Sequence, residues 1–375
     1  MAKNAEIEIL RAISILMVIA AHIPFILAWE SAYWWPVFRV AHFWAGVDIF
    51  FAISGFVVTA TLLRHIRSET PLIALKSFWI RRFFRLAPLS WMTLAVSIVL
   101  AATWNGFGFF GSPQNNFYDA VAVVIYGQNW HFFQCLSAGW TTCGINRHFW
   151  SLSLEEQFYI ALPLVFIFSR KWLAAICALL IVIQFPLYRP NTSWLWITRT
   201  DAISWGVLIA LFSQHADYWR LAPTIFRHRH IGLLFVALAI TAICFLSGGL
   251  IVSFYVGLIA LLAGVLVWIA SYDRGYLFRN AGNQRLLLWI GKRSYAIYLF
   301  HSIAFRLIKE GCARYAGSAE AIQNSAYSVI ILTGGLVLTA AIAEISCRLV
   351  EAPFQTKGRA MAQRIVAPTT VAVPT

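Results

Sequence analysis

The sequence predicts an all-α fold, a polytopic membrane helix bundle with about ten transmembrane helices. Three observations carry that expectation. The chain is 60% hydrophobic and 12% charged over 375 residues, with a mean hydropathy of +0.72, whereas a soluble domain ordinarily carries about twice that charged share. The apolar residues come in long stretches with few charges, and a run of roughly 18 or more reads as a spanning helix. The basic residues collect in alternate loops, as the positive-inside rule requires. The 17 Trp residues fit an interfacial belt, where an apolar ring with one polar N–H finds both of its solvents.

Taken in order, the expected spans are about 7–28, 44–63, 88–104, 151–169, 172–188, 199–213, 231–247, 251–271, 294–308 and 327–348. The first contains Arg11 but continues past Ile26 with no small-residue cleavage site, so it is read as a span and not as a signal peptide. The second has Asp48 at its start, and the third follows Arg81, Arg82 and Arg85. Arg170 and Lys171 divide the fourth from the fifth, and Arg199 and Asp201 open the sixth. Basic segments precede the seventh and the ninth, and Arg348 closes the tenth. Several are shorter than the usual span of about 20 residues. The stretch 118–130 is apolar but short, and is read as interfacial or re-entrant.

Placing the N-terminus inside puts 21 Lys and Arg residues in inner segments and five in outer ones, Arg39, Arg147, Arg189, Lys309 and Arg314. That asymmetry sets the orientation, with both termini cytoplasmic. It also accounts for the net charge of +14 without a nucleic-acid partner. Residues 1–356 are expected to form one transmembrane domain. Residues 357–375 turn to Ala, Thr, Val and Pro without period and are expected to be a disordered cytoplasmic tail. The six cysteines form no CxxC pair, and no metal site is expected. Cys135 and Cys143 share an outer loop, where a disulfide and two free thiols are both open readings. Gly106, Gly108 and Gly111 have the G-x-G-x-x-G spacing but lack the strand and helix that a nucleotide fingerprint needs.

Ionisable residues inside a span are costly and usually functional. His22 follows Arg11 by eleven residues, about 20° past three full helical turns and about 16 Å along the axis. The two therefore share a stripe that could line a path through the bundle. Singly, Arg11 reads equally as a snorkelling interfacial arginine, and His22 as a packed histidine bonded across helices. Arg82 and Arg85 share a face if helical, and their guanidinium forks suit phosphate oxygens. Ordinary positive-inside charge is the competing explanation. In Trp150-Ser-Leu-Ser-Leu-Glu-Glu-Gln-Phe-Tyr159, Ser153 and Glu156 have capping-box spacing. Glu155 is then free to face the bundle, and a carboxylate beside His22 would hold its tautomer. Asp48 suits a helix N-terminus, and Arg199 and Asp201 can pair with each other. His301 has the same ambiguity as His22. Glu351, before Ala352-Pro353, reads as a stop to the last span.

Over roughly residues 6–355 this ordered set of motifs resembles the acyltransferase-3 family of membrane O-acyltransferases, which commonly move acetyl groups onto sugars of cell-surface glycans. Arg11 and His22 match the family's Arg-x10-His, and Gly46 to Phe56 its second span. Arg82 and Arg85 with Pro88 match its Arg-x-x-Arg, and Trp150 to Tyr159 is close to its Trp-Ser-Leu-Ser-x-Glu-Glu-Gln-Phe-Tyr. Tyr298-Leu-Phe-His301 and Glu351-Ala-Pro353 match its end. The resemblance implies a ten-helix core in the bacterial inner membrane. It implies acetyl-CoA or another acyl-CoA as a donor substrate with no permanently bound cofactor, and a glycan or lipid-linked sugar as acceptor outside. Some members carry an extracytoplasmic esterase-like domain; none is expected within these 375 residues.

The expected chemistry places the donor's phosphates on Arg82 and Arg85 and its pantetheine arm beside Arg11. His22 then deprotonates an acceptor hydroxyl or briefly takes the acyl group, with Glu155 or Glu156 orienting the ring and His301 as a further candidate. The alternative is a polytopic transporter exporting a polar solute or lipid-linked sugar, with the same residues along its path. The inverted repeats and matched broken helices common in transporters are not evident.

Overall fold

The computed structural model describes residues 4–26, 35–68, 70–139 and 141–366. Lys3, the end of the first expected span at residues 27–28, and tail residues 367–375 lie outside the described residues. Among the described residues every regular element is helical. The helices that form the bundle are α1 (Ala5–Ile26), α2 (Gly46–Ser68), α3 (Pro71–Thr103), α4 (Pro113–Val124), α5 (Gln128–Ser137), α6 (Phe149–Ser169), α7 (Leu173–Gln184), α8 (Asp201–Phe212), α9 (Arg229–Leu246), α10 (Tyr255–Ser271), α11 (Arg285–Lys292), α12 (Ser294–Ala316), α13 (Ser325–Ser346) and α14 (Ala352–Val366).

Each of the ten expected spans falls on one of these helices. Among the described residues six stretches are long and apolar enough to cross a membrane: α1, α2, α3, α6 running on through α7, α8 with the turn before it, and α13 running on through α14. α9 and α10 are shorter apolar helices. α12 is long, but Arg306, Lys309 and Glu310 interrupt its apolar run. Phe168, Leu179, Leu234, Leu238 and Val337 stand exposed on the outside, a surface that hydrocarbon would cover.

α3 starts earlier than the sequence indicates. It opens with Pro71 at its first turn, where a missing N–H costs nothing, and passes through Pro88. Arg81, Arg82 and Arg85 therefore ride on a helix of 33 residues and do not lie in a loop. The three charges break the apolar pattern without breaking the helix.

Small residues set the closest approach in the bundle. A Cβ on Gly55 of α2 would run into the carbonyl of Ile203, and one on Gly206 of α8 into that of Ala52, as expected where helix backbones meet in a membrane. Just above this contact, Asp48 receives two hydrogen bonds from Arg199, 2.8 and 2.9 Å. Asp48 is thus more than a helix-end charge, and Arg199 does not take Asp201. Arg189 takes Asp201 instead, at 2.6 Å.

The short apolar stretch 118–130 covers parts of α4 and α5. α4 packs back along α3, and the turn at its end lies against α6, where Gln157 donates to the carbonyl of Tyr126 at 2.7 Å. Gln157 is about 12 Å along α6 from its start, so the hairpin reaches well into the bundle. Several of its polar groups are satisfied internally, although Oε1 of Gln128 is buried without a hydrogen-bond partner. Asp119 accepts from the Asn146 backbone at 3.0 Å and lies 3.1 Å from His131, and Cys135 is disulfide-bonded to Cys143.

Glu351 does not stop the last span. Residues Cys347–Glu351 form a π turn, and the chain continues as α14 along α3. Residues 357–366, expected to be disordered, are helical, with Gly358 and Ala362 buried. Small residues on one face let this polar helix dock, a signal that mean polarity hides.

Candidate active site

α1, α2, α3, α6 and α12 surround a cavity of about 200 Å³. One end is basic, with Arg11, Arg82 and Arg85 in its wall. Arg82 and Arg85 lie on one face of α3, as their spacing requires, while Arg81 turns away to contact His65. The Arg82 guanidinium lies over the Tyr159 ring, 5.0 Å from its centroid. Arg11 is paired with Glu8 at 3.1 Å.

The middle of the cavity is a hydrogen-bonded triangle. Tyr159 donates to Glu155 at 2.5 Å, and Ser54 lies 3.1 Å from the same carboxylate oxygen and 2.6 Å from the phenol. Ser151 and Tyr298 line the cavity as well. Tyr298 donates its O–H to the carbonyl of His148. A carbonyl can only accept, so the Ser151 hydroxyl, 2.7 Å away, donates to the phenol oxygen.

His22 is turned into the bundle. Its ring centroid is 4.9 Å from that of His301 and 6.1 Å from that of His148. The Tyr298 ring packs on both His148 and His301. The cavity takes in Arg11 but not His22, so it does not itself join the two residues of the shared stripe. Arg11 lines the cavity, and the histidines lie one side chain beyond its Tyr298 wall.

The two glutamates separate. Because α6 begins at Phe149, Ser153 sits inside the helix and makes no capping box with Glu156. Ser153 instead accepts from the Gln128 backbone at 3.4 Å. Glu156 opens on a second, mainly apolar cavity of about 300 Å³ beside Trp79, Phe83 and Tyr126. One of its oxygens is buried without a hydrogen-bond partner. Neither carboxylate orients His22, whose Nδ1 bonds the Val18 carbonyl at 2.7 Å while Glu155 serves Ser54 and Tyr159.

His148 is the residue that sequence reasoning misses. It precedes α6 in what reads as an outer loop, yet it is 5% exposed and packs beside the other two imidazoles. Burial, then the two neighbouring imidazoles, push its pKa well below the ordinary 6.5, so it is neutral at physiological pH. Its place directly before the Trp150 motif is the one signal that could have drawn attention to it. Among the described residues no group of His, Cys, Asp and Glu has the geometry to hold a metal ion.

A family model described as an acyltransferase domain, Acyl_transf_3, matches residues 4–344. The chain belongs to this acyltransferase family. The chain is 29% identical to the peptidoglycan O-acetyltransferase OatA of Listeria monocytogenes, over 94% of its own length and 56% of the relative. It is 27% identical to a putative peptidoglycan O-acetyltransferase, YrhL, of Bacillus subtilis, over 95% of this chain and 56% of the relative. A putative O-acetyltransferase of Staphylococcus aureus is 29% identical over 84% of this chain and 53% of its own length. The chain spans about half the length of these curated relatives. No solved structure matches the chain.

Proposed function

We propose that this acyltransferase is a membrane-bound O-acyltransferase that moves an acyl group, in the first instance acetyl, from cytoplasmic acyl-CoA to a hydroxyl of a sugar on the other side of the membrane. The observation that carries the reading is the cavity lined by Arg11, Arg82 and Arg85 and by Tyr298, whose ring separates it from the histidines packed behind. Family membership and the O-acetyltransferase relatives support the reaction class. The loop charges support ten crossings of an inner membrane, with both termini cytoplasmic and the arginine end of the cavity facing the donor.

In this reading Arg82 and Arg85 hold the donor's phosphates through charge-assisted hydrogen bonds, and the pantetheine arm lies along the cavity past Ser54 and Tyr159. Glu155 fixes those two hydroxyls. His22, with Nδ1–H committed to Val18, presents the Nε2 lone pair to the acceptor hydroxyl and acts as general base. The acceptor is a glycan or a lipid-linked sugar.

The experiment uses inverted membrane vesicles, acetyl-labelled CoA and cell-wall glycan precursors. The reading expects free CoA to appear on the donor side and label to appear on glycan hydroxyls. Labelled glycan or solute moving across with no CoA released would establish a transporter instead.

A further inference from the structure

Three imidazoles meet behind the Tyr298 wall of the cavity, and the proposed reaction engages one of them. The His148 and His301 centroids are 4.9 Å apart, and both rings also contact His22. The rings come from three separate elements: α1, the residue preceding α6, and α12. Two of their tautomers follow from their partners. Nδ1 of His22 and Nδ1 of His301 each lie 2.7 Å from a carbonyl, of Val18 and of Tyr298. A carbonyl only accepts, so each Nδ1 carries the hydrogen, and each Nε2 of the neutral ring presents a lone pair. The Nε2 atoms of His148 and His301 are buried and have no hydrogen-bond partner. Such groups are rare in folded proteins. His148 also hydrogen-bonds the backbone at Leu299, so its unpartnered Nε2 is likewise the lone-pair nitrogen of the neutral ring, and such an acceptor becomes satisfied once the neighbouring imidazole gains an N–H.

We infer that His148 and His301 are positioning residues that stabilise the proton taken up by His22. The inference rests on the proposed function. The acceptor hydroxyl gives its proton to Nε2 of His22 as its oxygen bonds to the acyl carbon. The C–S bond then breaks with its electron pair on sulfur. While His22 is an imidazolium, its new Nε2–H donates to a lone pair of His301 or His148. The same proton is returned to the sulfur as CoA leaves as a thiol, and the rings end as they began. The charged groups facing the cluster are Arg147 before α6 and Arg306 on α12, and the Tyr298 phenol lies alongside. Both arginines oppose a positive ring, which the two lone pairs offset.

The test compares His148→Phe, which keeps a ring but offers no lone pair, with His148→Gln, whose side-chain carbonyl can replace one. Both are made in the full chain and assayed with acetyl-CoA and acceptor across pH. His148→Phe is expected to lower kcat roughly 10- to 100-fold, the span of a hydrogen bond to a charged group, with KM for acetyl-CoA within about 2-fold. The acid limb of its pH–rate profile should move to lower pH, because His22 becomes a weaker base. His148→Gln should recover most of kcat. Equal losses in both variants, a raised KM at unchanged kcat, or an unmoved acid limb would overturn the inference. Nitrogen NMR of imidazole-labelled wild-type protein gives a readout independent of turnover. It should show the Nδ1–H tautomer on His22 and His301, and one proton shared by the three rings on acidification. Independent titration of the rings would sink the inference even if the enzyme activity is established. Absence of CoA release by the wild type would sink the proposed function and leave the NMR result to decide this one.

Discussion

Arg199 and Asp48 meet in a bidentate ion pair with neither side chain exposed, joining residues 151 positions apart in the chain. The guanidinium is walled by the rings of Trp44, Phe51, Trp150 and Trp196. Breaking such a pair from one side leaves a charge with no solvent, at a cost of about 3–5 kcal/mol. Asp48→Ala should therefore lower the thermal midpoint of the detergent-solubilised protein severely. The double variant Asp48→Ala with Arg199→Met should recover much of the loss. A single variant that melts like wild type would show that the pair is solvated.

The glycine contacts give a sharper packing test. Gly55→Ala and Gly291→Ala would each drive a methyl group into a backbone carbonyl, of Ile203 and of Glu8. Overpacking of this kind costs about 1–3 kcal/mol. Gly282→Ala, with no atom within 4 Å of the added carbon, serves as the control and should stay within about 0.5 kcal/mol of wild type. Comparable loss in all three would remove the argument for close helix approach.

Donor binding and chemistry separate in steady-state kinetics under the proposed function. Replacing Arg82 and Arg85 by Ala should raise KM for acetyl-CoA, by roughly 10-fold or more for each lost charge-assisted contact. His22→Ala should abolish transfer while the protein still inserts and purifies normally. A flat KM in the arginine variants excludes the phosphate role, and full activity of His22→Ala excludes the base.

His148 predicts the sign of a pH effect on stability. Its pKa in the folded protein lies below the ordinary 6.5, so the unfolded chain binds the proton more readily. Its stabilising contribution is complete above about pH 6.5 and is lost as pH falls from there toward the folded value. Thermal midpoints in detergent should drop across that window, and less so in His148→Gln. A variant with the same acid sensitivity as wild type would assign the effect to other groups.

The Cys135–Cys143 bridge closes a short loop beside the α4–α5 hairpin. Loops of this size are stabilised by about 2–3 kcal/mol when cross-linked. Reduction, or Cys143→Ser, should lower the thermal midpoint without affecting the rest of the bundle. Thiol counting on unreduced protein should find four free cysteines; six would refute the bridge.

Hydropathy made the helix positions legible, because long apolar runs mark helices whatever the tertiary contacts. It missed the first half of α3, where Arg81, Arg82 and Arg85 interrupt the apolar pattern on a helix that never breaks. Spacing alone placed Arg82 beside Arg85, since two residues three apart on one helix must share a face. Which carboxylate faces which base was not legible. Glu155 and Glu156 are sequence neighbours that point into different cavities, and only the start of α6 at Phe149 decides that. His148 was invisible because its burial comes from α1 and α12, far away in the chain. The Asp48–Arg199 pair was misassigned for the same reason, with Asp201 nearer in sequence but already held by Arg189.

The π turn before α14 bears on how the protein is handled. Glu351 and Gln355, on either side of the helix junction, are part of the wall of the cavity assigned to the donor. Trimming the chain near residue 350, as one might for an idle appendage, would remove that wall and leave the arginines facing open water. Affinity tags and reporter fusions are therefore safest after Val366, and a shortened protein that inserts well but turns over slowly should not be read as a catalytic defect of the transmembrane bundle.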